Sequence, residues 1–129
     1  MATINAYEYA PKNKVYTCDQ LTAAATATDT FALLGGDNIT VYDRFLFELT
    51  IAGISTNVIL QVQGSLTGSN WFNLDDSDTD TTYTANGTYG LKFDGEGKGQ
   101  ILYMRLYWVS ELGGTSATID AKLKFFRGE

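Results

Sequence analysis

Histidine is absent from the sequence, and cysteine and proline each occur only once in 129 residues. Without histidine, the chain lacks the side chain that most often acts as a general base near neutral pH or binds transition metals. The single cysteine, Cys18, excludes a disulfide within the chain and a zinc site built from several cysteines. These absences predict a protein that is not an enzyme and that holds no cofactor or metal.

Positive charge and long apolar runs are also scarce. The chain has 9 Lys+Arg against 15 Asp+Glu, and its formal net charge is −6. Nucleic-acid binding depends on cations that neutralise phosphates, so this balance argues against it. No apolar run approaches the roughly 18 residues of a membrane span, and the N-terminus lacks the basic head and apolar stretch of a secretory signal. We therefore expect partners that are neither nucleic acid nor membrane.

Threonine and aromatic residues, by contrast, are abundant. Tyr, Phe and Trp make up 13% of the chain, and these residue types favour strands. Apolar and polar residues alternate along 44–52, 100–110 and 116–126, which predicts strands with one buried face. Turn residues divide the chain into about eight strands. The pattern predicts an all-β fold, an antiparallel β-sandwich or jelly roll, with a closed barrel as the alternative.

The chain divides into a short N-terminal arm, residues 1–13, and a single β-sandwich domain, residues 14–129. Within the domain, Asn86-Gly87 lies between two strand-like runs, a pair that favours a tight type I′ hairpin. The alanine-rich stretch 21–27 is interpreted as an extended segment or a short turn, because its threonines lower helix preference.

Carboxylates are the main candidates for chemistry. Asp76, Asp78 and Asp80 have the spacing of a calcium loop, but Thr81 and Gly87 stand where that loop needs Gly and Glu. The six-residue acidic stretch 75–80 is therefore interpreted as a solvated loop. The remaining loose candidates for a glycosidase pair show no pairing in the sequence; they are Asp43, Glu48, Glu96 and Glu111.

Aromatic residues suggest contact surfaces. Trp108 alternates in phase with Met104 and Leu106, which favours the core. Tyr103, Arg105 and Tyr107 occupy the opposite face of the same strand, and Tyr and Arg are enriched at protein interfaces. A second candidate contact lies in and beside the N-terminal arm. The predicted interface residues are therefore Tyr7, Tyr9, Val15, Tyr103, Arg105 and Tyr107.

Three segments carry a resemblance to known proteins: GSLTGSNWFNL, TYTANGTYGLKFDG and YMRLYWVSELGGTSATIDAKL. The stretch 61–74 resembles a recurrent element of galactose-binding-like jelly rolls. The combination, over residues 40–126, is similar to small virion proteins of tailed bacteriophages. The resemblance implies a homotrimer that decorates or stabilises a capsid in the virion, assembled in the host cytoplasm. Its partner would be the major capsid protein or another virion protein.

A second function class stays open at the level of sequence. Loop aromatics such as Trp71 and Tyr83 could form a sugar-stacking platform. The alternative is therefore a carbohydrate-binding module, which a virion could display towards a host surface.

Overall fold

The computed structural model describes residues 3–37, 41–42, 44–74, 81–94 and 101–126. Eleven strands lie in these ranges. In chain order they are β1 (Thr3–Asn5), β2 (Tyr16–Thr17), β3 (Thr26–Ala27), β4 (Thr30–Ala32), β5 (Arg44–Ala52), β6 (Asn57–Ser65), β7 (Phe72–Asn73), β8 (Thr81–Tyr83), β9 (Gly87–Asp94), β10 (Tyr103–Leu112) and β11 (Thr118–Phe126). Two single-turn 3₁₀ helices, Ala6–Glu8 and Ala10–Lys12, follow β1.

The strands form two sheets. The first sheet has the order β1-β4-β10-β6-β7, with β3 also paired to β10 and β8 also paired to β6. The second sheet has the order β2-β11-β5-β9. From β2 onward the chain alternates between the sheets, except that β3 is followed by β4, and β6 by β7 and β8, within the first sheet. This winding is that of a jelly roll, so the predicted β-sandwich is confirmed.

The strand count differs from the prediction for a simple reason. The short strands β3 and β4 share one position beside β10, and β7 and β8 share one position beside β6. When each shared position is counted once, the jelly roll has about eight strands, which is the number predicted from turn spacing. The remaining strand, β1, extends the first sheet by pairing in parallel with β4.

The core lies between the two sheets. On β5 the inward side chains are Phe45, Phe47, Leu49 and Ile51, and each is at most 1% exposed. β11 contributes a matching buried set, Ile119, Ala121, Leu123 and Phe125. The rings of Phe31 on β4 and Phe125 on β11 meet edge to face at 5.6 Å and connect the layers. The alternation in these strands thus correctly predicts which face is buried, because period two separates the two faces of a sheet.

The predicted hairpin at Asn86-Gly87 is wrong. β8 pairs with β6 in the first sheet, whereas β9 pairs with β5 in the second. Gly87 has φ 159°, which is extended backbone, and the Asn86 Oδ1 accepts a hydrogen bond from the Ile54 N–H at 2.9 Å. The pair therefore carries the chain from one sheet to the other, because each flanking strand finds its partner elsewhere in the sequence.

The segment predicted as an N-terminal arm packs along the edge of the first sheet. Its residues 3–5 form β1, and Ala6 is completely buried. The Tyr9 ring contacts the Tyr16 ring edge to face at 5.4 Å. In the part of the chain that the structure describes, no helix has the length and apolar character needed to cross a membrane.

Candidate functional site

The outer face of the first sheet gathers polar and aromatic side chains at its centre. In the register of β10 and β6, Tyr103 lies opposite Ser65, Arg105 opposite Gln63, and Tyr107 opposite Gln61. The residues that alternate with them on β10 are fully buried; they are Met104, Leu106 and Trp108. We call the surface formed by Gln61, Gln63, Trp71, Tyr103, Arg105 and Tyr107 the arginine face.

Arg105 is the centre of this face. Its guanidinium lies 4.3 Å from the centroid of the Trp71 ring and 5.4 Å from that of Tyr107. Its Nε donates a hydrogen bond to the Gln63 Oε1 at 2.7 Å, and the Gln63 Nε2 in turn donates to the Gln61 Oε1 at 2.5 Å. The cation is thus held by two aromatic rings and by a hydrogen-bonded pair of amides.

Burial shapes the electrostatics of this cluster. Partial desolvation lowers the pKa of the Arg105 guanidinium, while the neighbouring Tyr107 acts in the opposite direction. Because arginine stays protonated in proteins, the result is a permanent cation that is already partly dehydrated. Part of the cost of removing water from this charge has therefore been met in the isolated chain. A partner that covers Arg105 has less side-chain freedom to restrict and less water to displace.

The six predicted interface residues fall into separate groups. Tyr103, Arg105 and Tyr107 share the arginine face. Tyr7 is 38% exposed within the first 3₁₀ helix, and Val15 is 53% exposed just before β2 in the second sheet. Tyr9 is partly buried against Tyr16. The structure therefore does not bring all six together on one surface.

Other residues of the site were absent from the sequence prediction or were assigned differently. Gln61 and Gln63 alternate along β6 and so share one face of it, but nothing in the sequence links them to Arg105. Trp71 joins them because β7, which follows it directly, pairs with β6. The expectation that Tyr83 accompanies Trp71 on an exposed platform is wrong. Tyr83 is only 7% exposed, and its ring packs 4.7 Å from that of Tyr89.

Neither a family model nor a curated protein nor a solved structure matches this chain. We therefore infer the function from the fold and from the surfaces that the two sheets present.

The carboxylates considered for catalysis or metal binding are dispersed where the structure describes them. Glu48 lies on the outer face of the second sheet, and the Glu111 Oε2 accepts a hydrogen bond from the Ala117 N–H at 3.0 Å. Asp43, Glu96 and the acidic stretch 75–80 lie outside the described residues. Among the described residues, no three side chains of the metal-binding types cluster together.

Cys18 provides a prediction about pH. It is buried, and desolvation, followed by the charges of Asp29 and Asp19, raises the pKa of its thiol from 9.0 to about 12. Above pH 9 the unfolded chain loses this proton while the folded chain keeps it. The protonated thiol therefore makes its full contribution to the free energy of unfolding below pH 9. This contribution is lost as pH rises towards 12, at up to about 1.4 kcal/mol per pH unit.

Urea unfolding at about pH 8 and about pH 11 measures this effect. The wild type should lose more unfolding free energy between these conditions than Cys18→Ala, which lacks the titrating thiol. Equal losses in the two proteins would contradict the assignment.

Proposed function

We propose that the chain is a non-enzymatic virion structural protein. In this role it decorates or stabilises a bacteriophage capsid through protein–protein contacts, as a homotrimer. The resemblance over residues 40–126 supports the virion role. The contact role is supported by the position of Arg105, which lies beside the Trp71 and Tyr107 rings on the outer face of the first sheet.

The composition of the arginine face favours a protein partner. Trp, Tyr and Arg are the residue types that dominate binding energy at protein interfaces, especially where neighbouring contacts exclude water. Two aromatic rings and the buried Gln63 already restrict Arg105, so its ordering cost on association is small. In a closed trimer each contact is heterologous, so the arginine face of one copy would meet a different surface of its neighbour.

Such contacts would stabilise a capsid by mass action. A protein that binds only the assembled shell shifts the equilibrium towards assembly, by an amount set by its concentration relative to its dissociation constant. Three linked copies would also bind several sites at once and raise the effective affinity without additional contacts. Neither effect needs a catalytic group.

Light scattering coupled to size-exclusion chromatography tests the trimer. The wild type should have a mass of about three times the 14.1 kDa chain. Arg105→Ala should weaken association by roughly 30-fold or more, the loss expected at an interface hot spot, and should shift the mass towards the monomer. Thr50→Ala, at an exposed position of the second sheet, is the control and should leave the mass unchanged. A monomeric wild type would refute the trimer.

Co-sedimentation with capsids tests the virion role. A point variant is preferable to removal of residues 1–13, because that deletion would remove β1 and uncover the edge of the first sheet.

The alternative of a carbohydrate-binding module retains only Trp71 as an accessible aromatic of the proposed pair. A monomeric wild type whose glycan-array signal is lost in Trp71→Ala would favour that alternative.

A further inference from the structure

The outer face of the second sheet carries a cluster of lysines. In the strand register Leu46 of β5 lies between Lys124 of β11 and Lys92 of β9, and Lys122 is the next outward residue along β11. The cluster stands out because the chain as a whole has a net charge of −6. We call the surface formed by Val15, Leu46, Lys92, Lys122, Lys124 and Phe126 the lysine face.

Among the side chains that the structure describes on this outer face, two are acidic, and each lies beside a partner. Glu48 lies opposite Lys122, and Asp120 accepts hydrogen bonds from the Gln20 side chain at 3.2 Å. The part of the face around Leu46 therefore keeps lysines on both sides.

The same face exposes apolar side chains. The structure describes seven large hydrophobic residues as exposed, and three of them are on this surface: Val15 at 53%, Leu46 at 38% and Phe126 at 41%. The register of β2 with β11, continued by one residue, places Val15 beside Lys124. Apolar and cationic side chains thus alternate across the strands, and an exposed apolar patch of this kind is typical of an interaction site.

A cleft continues the lysine face at the end of β11. It measures about 250 Å³ and is lined by Ala10, Pro11, Asn13, Tyr42, Lys124, Phe125 and Phe126. The Lys124 Nζ donates a hydrogen bond to the Asn13 Oδ1 and lies 5.4 Å from the centroid of the Phe126 ring. Small-molecule sites usually span about 300–1,000 Å³, so the size of this cleft suits a single apolar side chain better than a cofactor.

We propose that the lysine face docks an acidic segment of a partner protein. An apolar side chain of that segment would enter the cleft, while flanking carboxylates would pair with Lys92, Lys122 and Lys124. The inference depends on the proposed function for the identity of the partner, an acidic surface of a capsid protein. The contacts themselves, carboxylates with lysines and an apolar side chain with the cleft, do not depend on that function.

The combination of positive charge and apolar surface favours a protein partner over a nucleic acid or a sulfated polysaccharide. Nucleic acid or a sulfated polysaccharide would use the lysines and leave Leu46, Val15 and Phe126 without apolar contacts. The net negative charge of the rest of the chain would also repel a long polyanion. A protein segment that alternates carboxylates with apolar side chains satisfies both parts of the face. Because the lysine contacts are exposed, their share of the affinity should weaken with salt.

A synthetic peptide tests this inference directly. The probe is a short fluorescein-labelled peptide in which Glu and Phe alternate, and its anisotropy is followed as the full-length protein is added. Lys92→Glu and Phe126→Ser should each weaken binding by roughly 10-fold or more, equivalent to about 1.4 kcal/mol. Thr82→Glu, at an exposed position of the first sheet, is the control and should leave affinity unchanged. Circular dichroism establishes that each variant is folded.

Two further probes complete the test. A peptide in which Glu and Ser alternate should bind at least roughly 10-fold more weakly, because it offers no apolar side chain. An oligothymidylate or heparin fragment that binds as tightly as the Glu-Phe peptide, with the same loss in Lys92→Glu, would overturn the assignment to a protein. Equal binding of the Glu-Phe peptide by wild type and both variants would also overturn it.

The outcomes separate this inference from the proposed function. Absence of peptide binding in a protein that forms trimers and sediments with capsids would refute the docking inference alone. Peptide binding by a wild type that neither forms trimers nor sediments with capsids would refute the decoration role and leave the docking chemistry in place.

Discussion

Replacement of Trp108 by alanine is expected to lower the free energy of unfolding by about 3–5 kcal/mol. Trp108 lies fully buried in β10, at the centre of the first sheet. Its Nε1 donates a hydrogen bond to the Ser110 carbonyl oxygen at 2.9 Å, next to a register irregularity in the pairing with β6. The substitution therefore leaves a large cavity and removes the donor that this carbonyl uses. Such a loss is a large fraction of the roughly 5–15 kcal/mol that stabilises a domain.

The second tryptophan provides a matched control. Trp71 is only partly buried, and its described contact is with the Arg105 guanidinium. Trp71→Ala should therefore lower the unfolding free energy by only about 1 kcal/mol, the scale of a partly exposed cation–π contact. Urea unfolding followed by circular dichroism compares the two variants. Equal losses would mean that Trp108 does not have the central packing role assigned to it.

The second large effect is expected at Gly53, where replacement by alanine should lower the free energy of unfolding by at least about 2 kcal/mol. Gly53 has φ +74°, a left-handed conformation that L residues rarely adopt. A Cβ there would lie 2.5 Å from the Ser116 carbonyl oxygen, and its next neighbours are also backbone atoms. Because backbone cannot rotate away like a side chain, the connection between β5 and β6 would have to move.

Gly90 is the matched control for this prediction. It lies in β9 with ordinary backbone geometry, and a Cβ there would make normal contact with Leu46 at 3.7 Å. Gly90→Ala should be neutral or stabilise the fold by about 0.5–1 kcal/mol, since alanine restricts the unfolded chain more than glycine does. Thermal and urea unfolding of the two variants provide the comparison. A similar loss at both positions would show that the close approach at Gly53 is not the cause.

The fold was predictable wherever one face of a strand is buried. Alternation along β5, β10 and β11 gave the correct inward residues because a sheet with one buried face imposes period two on its sequence. The failure at Asn86-Gly87 has the opposite origin. Turn preference is local, whereas the partners of β8 and β9 are β6 and β5, which lie earlier in the chain and in different sheets. Pairing with those strands overrides the turn.

The candidate surfaces were predictable to a smaller extent. Tyr103, Arg105 and Tyr107 were recognisable because they occupy alternate positions of one strand. The turn at 68–70 indicates that residues 71–74 return as a short strand, and β7 does pair with β6. Nothing in the sequence shows that β10 lies on the other side of β6, which is what brings Arg105 to the Trp71 ring. The lysine face was missed for the same reason. Lys92 and Lys124 lie on separate strands, and only their common neighbour β5 brings them to either side of Leu46.

The winding of the strands has a consequence for synthesis on the ribosome. β2 emerges among the first strands, yet its partner in the second sheet is β11, which emerges last. β11 also covers the long edge of β5, and β10 fills the centre of the first sheet. Neither sheet can therefore be completed from the N-terminal portion of the nascent chain. At a synthesis rate of about 5–20 residues per second, several seconds pass between the synthesis of Phe47 and that of residue 126. The sandwich must close late and cooperatively, and the non-local pairing places its folding in the slow range of about milliseconds to seconds.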